Sequence, residues 1–284
     1  MHDRRTYLSE EQLAAFSRTG TLVIPQFYDI DEQITPIQES IYDIIGLVAR
    51  RHSLPLERPV FSPDKFDAGY TDLIAIDRAI GGEIYDAIKQ IPAFLRLISC
   101  QHNEDLFAQL RKGSLPGTGA ASYGIRIDNP GEEEYRSHWH QEFLFQPQSM
   151  DGVVFWTSLV ALTPEIGPVQ ICLGSHLDGL CQYTKCGNHA NKPGAYKIGI
   201  VDDEIVAARY ERIAPLCEPG DLIVIDFLTI HQSGFNVSDR ARWSVQTRFF
   251  NFREPTGMKI GWKPSVTAGS QIEKIFSAHF VEDN

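Results

Sequence analysis

The chain has 284 residues, 43% of them hydrophobic and 22% charged, and these globular values exclude a disordered or fibrous protein. Its 26 basic and 37 acidic residues leave a formal net charge of −11, which gives no electrostatic footprint for nucleic acid or an anionic membrane. No apolar run approaches the roughly 18 residues that span a bilayer, and the N-terminal segment lacks the apolar core of a secretory signal. We therefore predict a soluble, cytoplasmic protein with no nucleic acid and no membrane among its partners.

The N-terminal third, residues 1–112, is predicted to be mostly helical. Ser9 and Gln12 fit a capping box at the start of a helix, and a short strand is predicted over 21–25. Apolar residues then recur every three or four positions over 30–51, which predicts a helix with Pro36 in its first turn. Two further helices are predicted near 82–90 and over 92–110.

After Gly113, short β-branched and aromatic runs alternate with turn residues, a pattern typical of a sandwich or barrel. Strands are predicted over 121–127, 140–145, 153–162, 169–173, 222–227 and 243–252. The irregular stretches 128–137 and 177–219 interrupt them, and long loops of this kind are lid candidates. A barrel with added helices can hold this length as one domain.

The cysteines indicate neither a disulfide scaffold nor a zinc ribbon. Their number is odd, and they form no CxxC pair, whereas a zinc ribbon needs two close pairs. Cys181 and Cys186 are near enough to share a metal, but no second pair accompanies them. We predict free thiols with a packing role at Cys100, Cys172, Cys181, Cys186 and Cys217.

The densest group of chemically capable residues is the segment SHWHQEF, residues 137–143. On a strand, side chains two apart share a face, so His140 and Glu142 would present an imidazole and a carboxylate together. His231 is the best candidate for a third metal ligand, and His138 is a rival for a place in the set. Two neutral nitrogens and one carboxylate leave about three positions open, which suits Fe(II) with an organic co-substrate and dioxygen.

A candidate carboxylate receptor follows eleven residues after His231. Arg242 and Ser244 would share one face of a strand, and a planar guanidinium with an adjacent hydroxyl matches a carboxylate. A buried arginine needs an anion to offset its desolvation. The alternative interpretation is a surface salt bridge, for which Arg240 and Arg248 are equally available.

The ordered segments HQE, GPVQICLGSH and PGDLIVIDFLTIHQSGFNVSDRARWSVQTRFF resemble the phytanoyl-CoA dioxygenase family of Fe(II)/2-oxoglutarate oxygenases. The resemblance covers roughly residues 120–252. It implies a mainly β fold with helical additions, whose core is a double-stranded β-helix (jelly roll, cupin-like). The whole chain, 1–284, would form a single domain. The jelly-roll core would span 113–255, and a C-terminal extension would span 256–284. The resemblance also implies iron on His140, Glu142 and His231, and the distal carboxylate of 2-oxoglutarate on Arg242 and Ser244.

Glu142 departs from the family pattern, because the family usually has Asp at this position. Glu is one methylene longer, so the backbone must lie further from the metal or the carboxylate must bind in another rotamer. Halogenating members of the family replace the carboxylate with a small residue, so Glu142 argues against halogenation.

The resemblance offers further positions with weaker signals. The strand containing Trp156, Thr157 and Ser158 matches one that contacts 2-oxoglutarate in related proteins, and we select Thr157 as the candidate. Tyr123 and Arg126 could face the co-substrate or the substrate, with sheet packing as the alternative. His176 and Asn236 are interpreted as turn residues.

The implied activity is hydroxylation of a small-molecule substrate, a metabolite or natural-product intermediate, by Fe(II), 2-oxoglutarate and O2, with ascorbate as a supporting reductant. Succinate and CO2 would be released, and desaturation or ring formation are possible variants. The net charge makes a bulky polyanion such as an acyl-CoA less attractive. The expected state is a monomer or homodimer.

Two other functions remain open at this point. One is a non-oxidative, cupin-like metal-binding protein that acts as a sensor or isomerase-type enzyme, since one barrel fold serves many functions. The other is an inactive scaffold. Arg242 with Ser244 discriminates between them and an oxygenase, because a sensor does not need a carboxylate receptor beside its metal.

Overall fold

Helices of the N-terminal third cover one face of a two-sheet β structure. The computed structural model describes residues 6–184, 198–262 and 276–281. The helices before residue 113 are α1 (Glu10–Thr19), α2 (Thr35–Arg51), α3 (Tyr70–Ile76), α4 (Arg78–Ile88), α5 (Pro92–Ile98) and α6 (Gln101–Leu110). Two short helices come later, α7 (Asp203–Ala207) and α8 (Pro255–Ile260).

The strands form a large sheet, a small sheet and a separate pair. In chain order they are β1 (Thr21–Ile24), β2 (Pro116–Asp128), β3 (Val153–Ser158), β4 (Gln170–Cys172), β5 (Tyr183–Thr184), β6 (Gly199–Ile200), β7 (Arg212–Ile213), β8 (Leu222–Asp226), β9 (His231–Gln232) and β10 (Arg242–Asn251). The large sheet has the order β1-β8-β3-β10-β2 and the small one β7-β4-β9, all antiparallel. The fold class predicted from the sequence, mainly antiparallel β-sheet with helical additions, is confirmed.

The N-terminal third contributes to the sheet as well as to its cover. Ser9 caps α1 in a capping box with Gln12, at 3.2 and 2.9 Å. The helix ends at Gly20, whose φ of 72° is the left-handed conformation that glycine adopts without strain. This turn sends the chain into β1, which becomes an edge strand of the large sheet beside β8.

The main core lies between the helices and the outer face of the large sheet. Phe66 and Tyr70 pack edge-on against Trp243, with ring centroids 5.7 and 4.9 Å apart. Further along the same face of β10, Phe107 of α6 packs on Phe249 at 5.9 Å. Alternate residues of β10 therefore bury the outer face and leave the other set directed toward the small sheet.

Two predicted elements are wrong in detail. The helix predicted over 92–110 is divided into α5 and α6, and the side chain of Asn103 donates to the carbonyls of Leu97 and Ile98 at 2.9 and 3.3 Å, so the end of α5 is satisfied by a side chain. The strand predicted over 140–145 is an isolated bridge at His140 followed by a 3-10 turn, Glu142–Leu144.

The remaining sequence expectations fall partly outside the described residues. The irregular stretch 177–219 contains β5, β6, α7 and β7, whereas residues 185–197, with Cys186, lie outside the description. In the described ranges, Cys100, Cys172, Cys181 and Cys217 are free thiols. A search of these ranges finds no helix long and apolar enough to cross a membrane.

Candidate active site

Two histidines and a glutamate converge between the sheets. His140, Glu142 and His231 place one candidate ligand atom each within 4.8 Å of one another. The Nε2 atoms of both histidines lie 3.8 Å from Oε2 of Glu142. We call these three residues the metal cluster, since a single ion placed among the three atoms could be ligated by all of them. The set predicted from the sequence is therefore brought together in space.

The backbone and the imidazole nitrogens facing away from the cluster orient both histidines. His140 and His231 exchange backbone hydrogen bonds of 3.0 and 3.1 Å, which set their rings 4.2 Å apart. Nδ1 of His140 donates to the carbonyl of His138 at 2.7 Å, and Nδ1 of His231 donates to that of Thr229 at 2.9 Å. Because a carbonyl only accepts, each Nδ1 carries the proton and each Nε2 keeps its lone pair for a metal.

Glu142 reaches the cluster from a turn, and the buried amide of Gln141 holds that turn. Gln141 donates to the carbonyls of Gly179 and Leu228 at 2.8 and 2.7 Å and accepts from the N–H of Cys181 at 2.8 Å. These bonds join the segment to two other parts of the chain. These hydrogen bonds direct the carboxylate of Glu142 inward. The sequence analysis expected the same direction, but from the alternation of side chains along a strand.

The protonation states suit metal binding. Burial, together with the neighbouring His140, lowers the pKa of His231 to about 3, so its imidazole is neutral at physiological pH. Burial alone would raise the pKa of Glu142, but the guanidinium of Arg248 and the two histidines outweigh it and hold the pKa well below the usual range. A neutral nitrogen and a carboxylate are the forms that ligate metals.

Arg248 is an arginine of the site that the sequence analysis named only as available for a surface salt bridge. Its Nε donates to Oε1 of Glu142 at 3.0 Å, and its Nη2 donates to Gln246 at 2.9 Å. Arg240 does form the kind of peripheral pair expected for it, with Asp67 at 2.8 Å. The alternation of polar residues along β10, Arg242-x-Ser244-x-Gln246-x-Arg248, is the signal that could have identified Arg248.

Arg242 is buried at the end of this row, with 1% of its surface exposed. Its Nη2 donates to Asp128 at 2.7 Å and to Ser233 at 2.9 Å, and its Nη1 donates to the carbonyl of Gly167. The anion that a buried arginine requires is thus supplied partly by the protein itself, through Asp128. Asp128 was not among the residues predicted for the site.

The acidic partner of Arg242 is shared with a second arginine. Arg126 contacts both oxygens of Asp128 at 2.9 Å. Burial would raise the pKa of Asp128, but the two guanidinium groups outweigh it and lower the pKa to about 2. One carboxylate faces two guanidinium groups, so this trio carries a net positive charge next to the metal cluster.

Two polar atoms beside the trio have no hydrogen-bond partner among the described residues. They are Nε of Arg242 and Oγ of Ser244, both buried and two residues apart on the same face of β10. A buried N–H without an acceptor is costly. An N–H and a hydroxyl on one face are matched by a carboxylate ligand.

Thr157 and Tyr123 lie on the opposite face of the large sheet. Thr157 pairs with Val245, and Tyr123 pairs with Thr247. These two β10 residues alternate with the polar row of Arg242, Ser244, Gln246 and Arg248 and therefore point to the other face. Tyr123 packs on Phe94 of α5 at 6.1 Å. Trp156, and not Thr157, lies on the inner face of β3 and lines the site, which settles the strand direction that the sequence left open.

A cavity of about 70 Å³ surrounds the metal cluster. Both sheets line it: Val154, Trp156, Ile225 and Gln246 from the large sheet, and His231 and Gln232 from the small one. Arg126, Arg248 and Ser233 complete its charged and polar wall. We call this the metal cavity.

A larger cavity of about 350 Å³, here the outer cavity, lies next to it. Arg126 lines both cavities, which makes it the residue they share. The outer cavity is bounded by helices α3 and α4, the end of β2 and the turn near Tyr135; its lining includes Tyr70, Gly81, Gly82, Tyr85 and Tyr135.

The other predicted residues have structural contacts. His138 lies outside the metal cluster, 4.0 Å from Glu133, and its carbonyl orients His140. His176 contacts the carbonyl of Ser17 at 3.1 Å. Asn236 donates to the carbonyls of Asp128 and Arg240 at 3.0 and 2.8 Å, and so anchors the end of β2 near Arg242.

Comparison with known proteins agrees with this geometry. The family model "Phytanoyl-CoA dioxygenase (PhyH)" matches residues 16–244. A search of curated proteins finds no match.

Solved structures share the fold at low sequence identity. EctD from S. alaskensis, crystallised with 2-oxoglutarate and 5-hydroxyectoine, is 18% identical with a TM-score of 0.55, covering 93% of this chain and 80% of that one. The carbocyclase SnoK from nogalamycin biosynthesis is 15% identical with a TM-score of 0.55, over 86% and 84% of the two chains. AviO1 from Streptomyces viridochromogenes Tue57 is 16% identical with a TM-score of 0.54, over 88% and 98%. The match of the family model to most of the chain shows that this protein belongs to the phytanoyl-CoA dioxygenase family.

Proposed function

We propose that this protein is an Fe(II)- and 2-oxoglutarate-dependent oxygenase that hydroxylates a small molecule. The observation that carries the proposal is the convergence of two bare imidazole Nε2 atoms and one carboxylate oxygen in the metal cluster. Family membership supports the same class of reaction.

The ligand set fits iron. Two neutral nitrogens and one carboxylate oxygen suit Fe(II) and leave coordination positions for an organic co-substrate and dioxygen. His140, Glu142 and His231 would hold the ion. The chemistry that iron and 2-oxoglutarate supply is the oxidative decarboxylation of the keto acid by O2, giving succinate and CO2, coupled to oxidation of the substrate.

The residues beside the cluster fit 2-oxoglutarate. Arg242 and Ser244 each keep a buried polar atom that has no partner in the described part of the chain, and the trio of Arg126, Asp128 and Arg242 carries a net positive charge. A carboxylate placed there would accept from both orphaned groups. We assign the distal carboxylate of 2-oxoglutarate to this position.

Apolar side chains form part of the remaining wall of the metal cavity. Val154, Trp156, Val169 and Ile225 present apolar surface between the two sheets. A dry environment strengthens the electrostatic contacts of the polar groups inside it and limits side reactions. His231, kept neutral by burial, holds no proton that a metal would need to displace.

We assign the substrate to the outer cavity. This cavity is five times the volume of the metal cavity and shares Arg126 with it. Tyrosine side chains and the two adjacent glycines Gly81 and Gly82 form an amphipathic wall suited to a compact organic molecule. Among similar structures, one holds 5-hydroxyectoine, one is a carbocyclase and one an epimerase, so the fold alone does not select the outcome. Hydroxylation is our proposal for this chain.

The test is an anaerobic titration of the Fe(II)-loaded protein with 2-oxoglutarate, followed by its charge-transfer absorbance, and then succinate release in air with ascorbate. We expect both signals from the wild type and neither from His140→Ala or His231→Ala. His52→Ala is the matched control, because His52 pairs with Glu83 on the helical surface.

The outcomes separate the candidate functions. Metal binding without a 2-oxoglutarate signal would identify a non-oxidative metalloprotein and overturn the proposal. Normal turnover in a folded His140→Ala or His231→Ala variant would show that the metal cluster does not take part in the reaction.

A further inference from the structure

The carboxylate of Glu142 presents its two oxygens to different partners. Oε2 lies 3.8 Å from Nε2 of both histidines, where a metal would be bound. Oε1 accepts from Nε of Arg248 at 3.0 Å, and the second contact of Arg248, from Nη2 to Oε2, is longer at 3.4 Å. The arginine therefore occupies mainly the oxygen that the histidines do not face.

We propose that Arg248 is a positioning residue that holds Glu142 as a one-oxygen metal ligand. The inference rests on the proposed function only in requiring that the metal cluster binds a divalent ion. Arg248 donates to the carboxylate of Glu142, so in this proposal it acts through Glu142.

A glutamate needs such a partner more than an aspartate does. Its side chain has one more methylene and one more torsion, so an unrestrained Glu142 could turn away or present both oxygens to the ion. A second bound oxygen would occupy a position that the co-substrate or dioxygen requires. The planar guanidinium fork restricts this motion, since it fixes the plane of the carboxylate as well as its distance.

The support for Arg248 is itself rigid. It lies within β10, opposite Val154 of β3, and its Nη2 also donates to Gln246 at 2.9 Å. Glu142 is 3% exposed and sits in the turn held by Gln141. The pair thus joins the central strand of the site to the ligand-bearing turn.

The sign of the charge distinguishes positioning from simple electrostatics. A guanidinium near a cation repels it, so removing the charge alone would tighten metal binding. If Arg248 positions the carboxylate, its removal weakens binding in spite of the lost repulsion. Loss of a group that orients a metal ligand typically costs 10- to 100-fold in metal affinity.

The experiment measures Co(II) binding to the metal-free protein without 2-oxoglutarate, by dissociation constant and by the visible absorption spectrum, which reports the coordination number. We expect Arg248→Met to bind Co(II) at least tenfold more weakly and with a changed spectrum. Arg248→Lys, which keeps the charge but not the fork, should resemble Arg248→Met. Glu142→Asp in the Arg248→Met background should recover part of the Co(II) affinity. The shorter side chain has fewer torsions, so it loses less conformational entropy when it binds the ion.

Arg240→Met is the matched control, since it removes the ion pair with Asp67 from the same segment without touching the cavity. A dissociation constant and spectrum equal to those of the wild type in Arg248→Met would overturn the proposal, as would tighter binding. Failure of the wild type to bind Co(II) would instead defeat the proposed function. Circular dichroism and thermal melts of each variant separate loss of folding from loss of positioning.

Discussion

The replacement Arg242→Met tests the assignment of the 2-oxoglutarate carboxylate. The substitution removes the guanidinium and keeps an apolar chain of similar length. Arg126 still contacts both oxygens of Asp128 at 2.9 Å, so the carboxylate is not left unpaired. The variant loses the hydrogen bonds of Arg242 to Asp128, Ser233 and Gly167, and we expect it to remain folded at a cost of about 2–3 kcal/mol.

The expected effect on co-substrate binding is similar in free energy to the expected effect on folding. Loss of one charge-assisted hydrogen bond, the one from Nε of Arg242, is worth about 1.5–3 kcal/mol. With a tenfold change for each 1.4 kcal/mol, this predicts 2-oxoglutarate binding about 10- to 140-fold weaker. Iron binding should be unchanged, because Arg242 makes no hydrogen bond to the metal cluster in the described chain.

The assay is the anaerobic absorbance titration of Fe(II)-loaded protein with 2-oxoglutarate, at a temperature where each variant is folded. Arg242→Lys, which retains the cation without Nε and the fork, should give an intermediate dissociation constant. Arg240→Met controls for loss of a neighbouring cation. If Arg242→Met binds 2-oxoglutarate within threefold of the wild type, the reasoning about the orphaned donors is refuted.

Three further predictions concern the outer cavity, pH and helix capping. Gly82→Leu adds a side chain to the wall of the outer cavity, at a position where a Cβ meets no atom within 4 Å. Leucine favours the helix, so we expect the fold and the 2-oxoglutarate affinity to be retained while the substrate KM rises. An unchanged KM would show that the substrate binds elsewhere. The pKa of His231 is about 3 in the folded state and 6.5 when the side chain is exposed. As the pH falls below 6.5, the unfolded state gains a proton that the folded state does not bind. The free energy of unfolding of the metal-free protein should therefore fall by about 2 kcal/mol between pH 7.5 and pH 5. Urea midpoints at the two pH values should show this loss reduced in His231→Gln, and equal losses in both proteins would contradict the assignment. Ser9→Ala removes the capping box with Gln12 and should lower stability by about 1 kcal/mol, measured by urea denaturation; no change would show that α1 does not need its cap.

Local sequence signals were sufficient wherever the physical cause is local. The capping box at Ser9 and the turn before β1 follow from residues within a few positions of each other. The apolar period of α2 and the runs of β8 and β10 identified elements whose one face must be buried. The residue types of the candidate metal site were also readable, because two imidazoles and a carboxylate are the groups that such an ion would need.

The sequence by itself thus determined the class of elements, the ligand types and, through its resemblance to known oxygenases, the family. Only the tertiary structure decided the partners, because buried charges are balanced by residues distant in the chain. Asp128 meets Arg242 from 114 positions away, and Glu142 meets Arg248 from 106. Strand alternation predicts that Thr157 and Trp156 point to opposite faces of the large sheet. Which of the two reaches the metal cavity depends on which face the helices cover, and only the tertiary structure shows this.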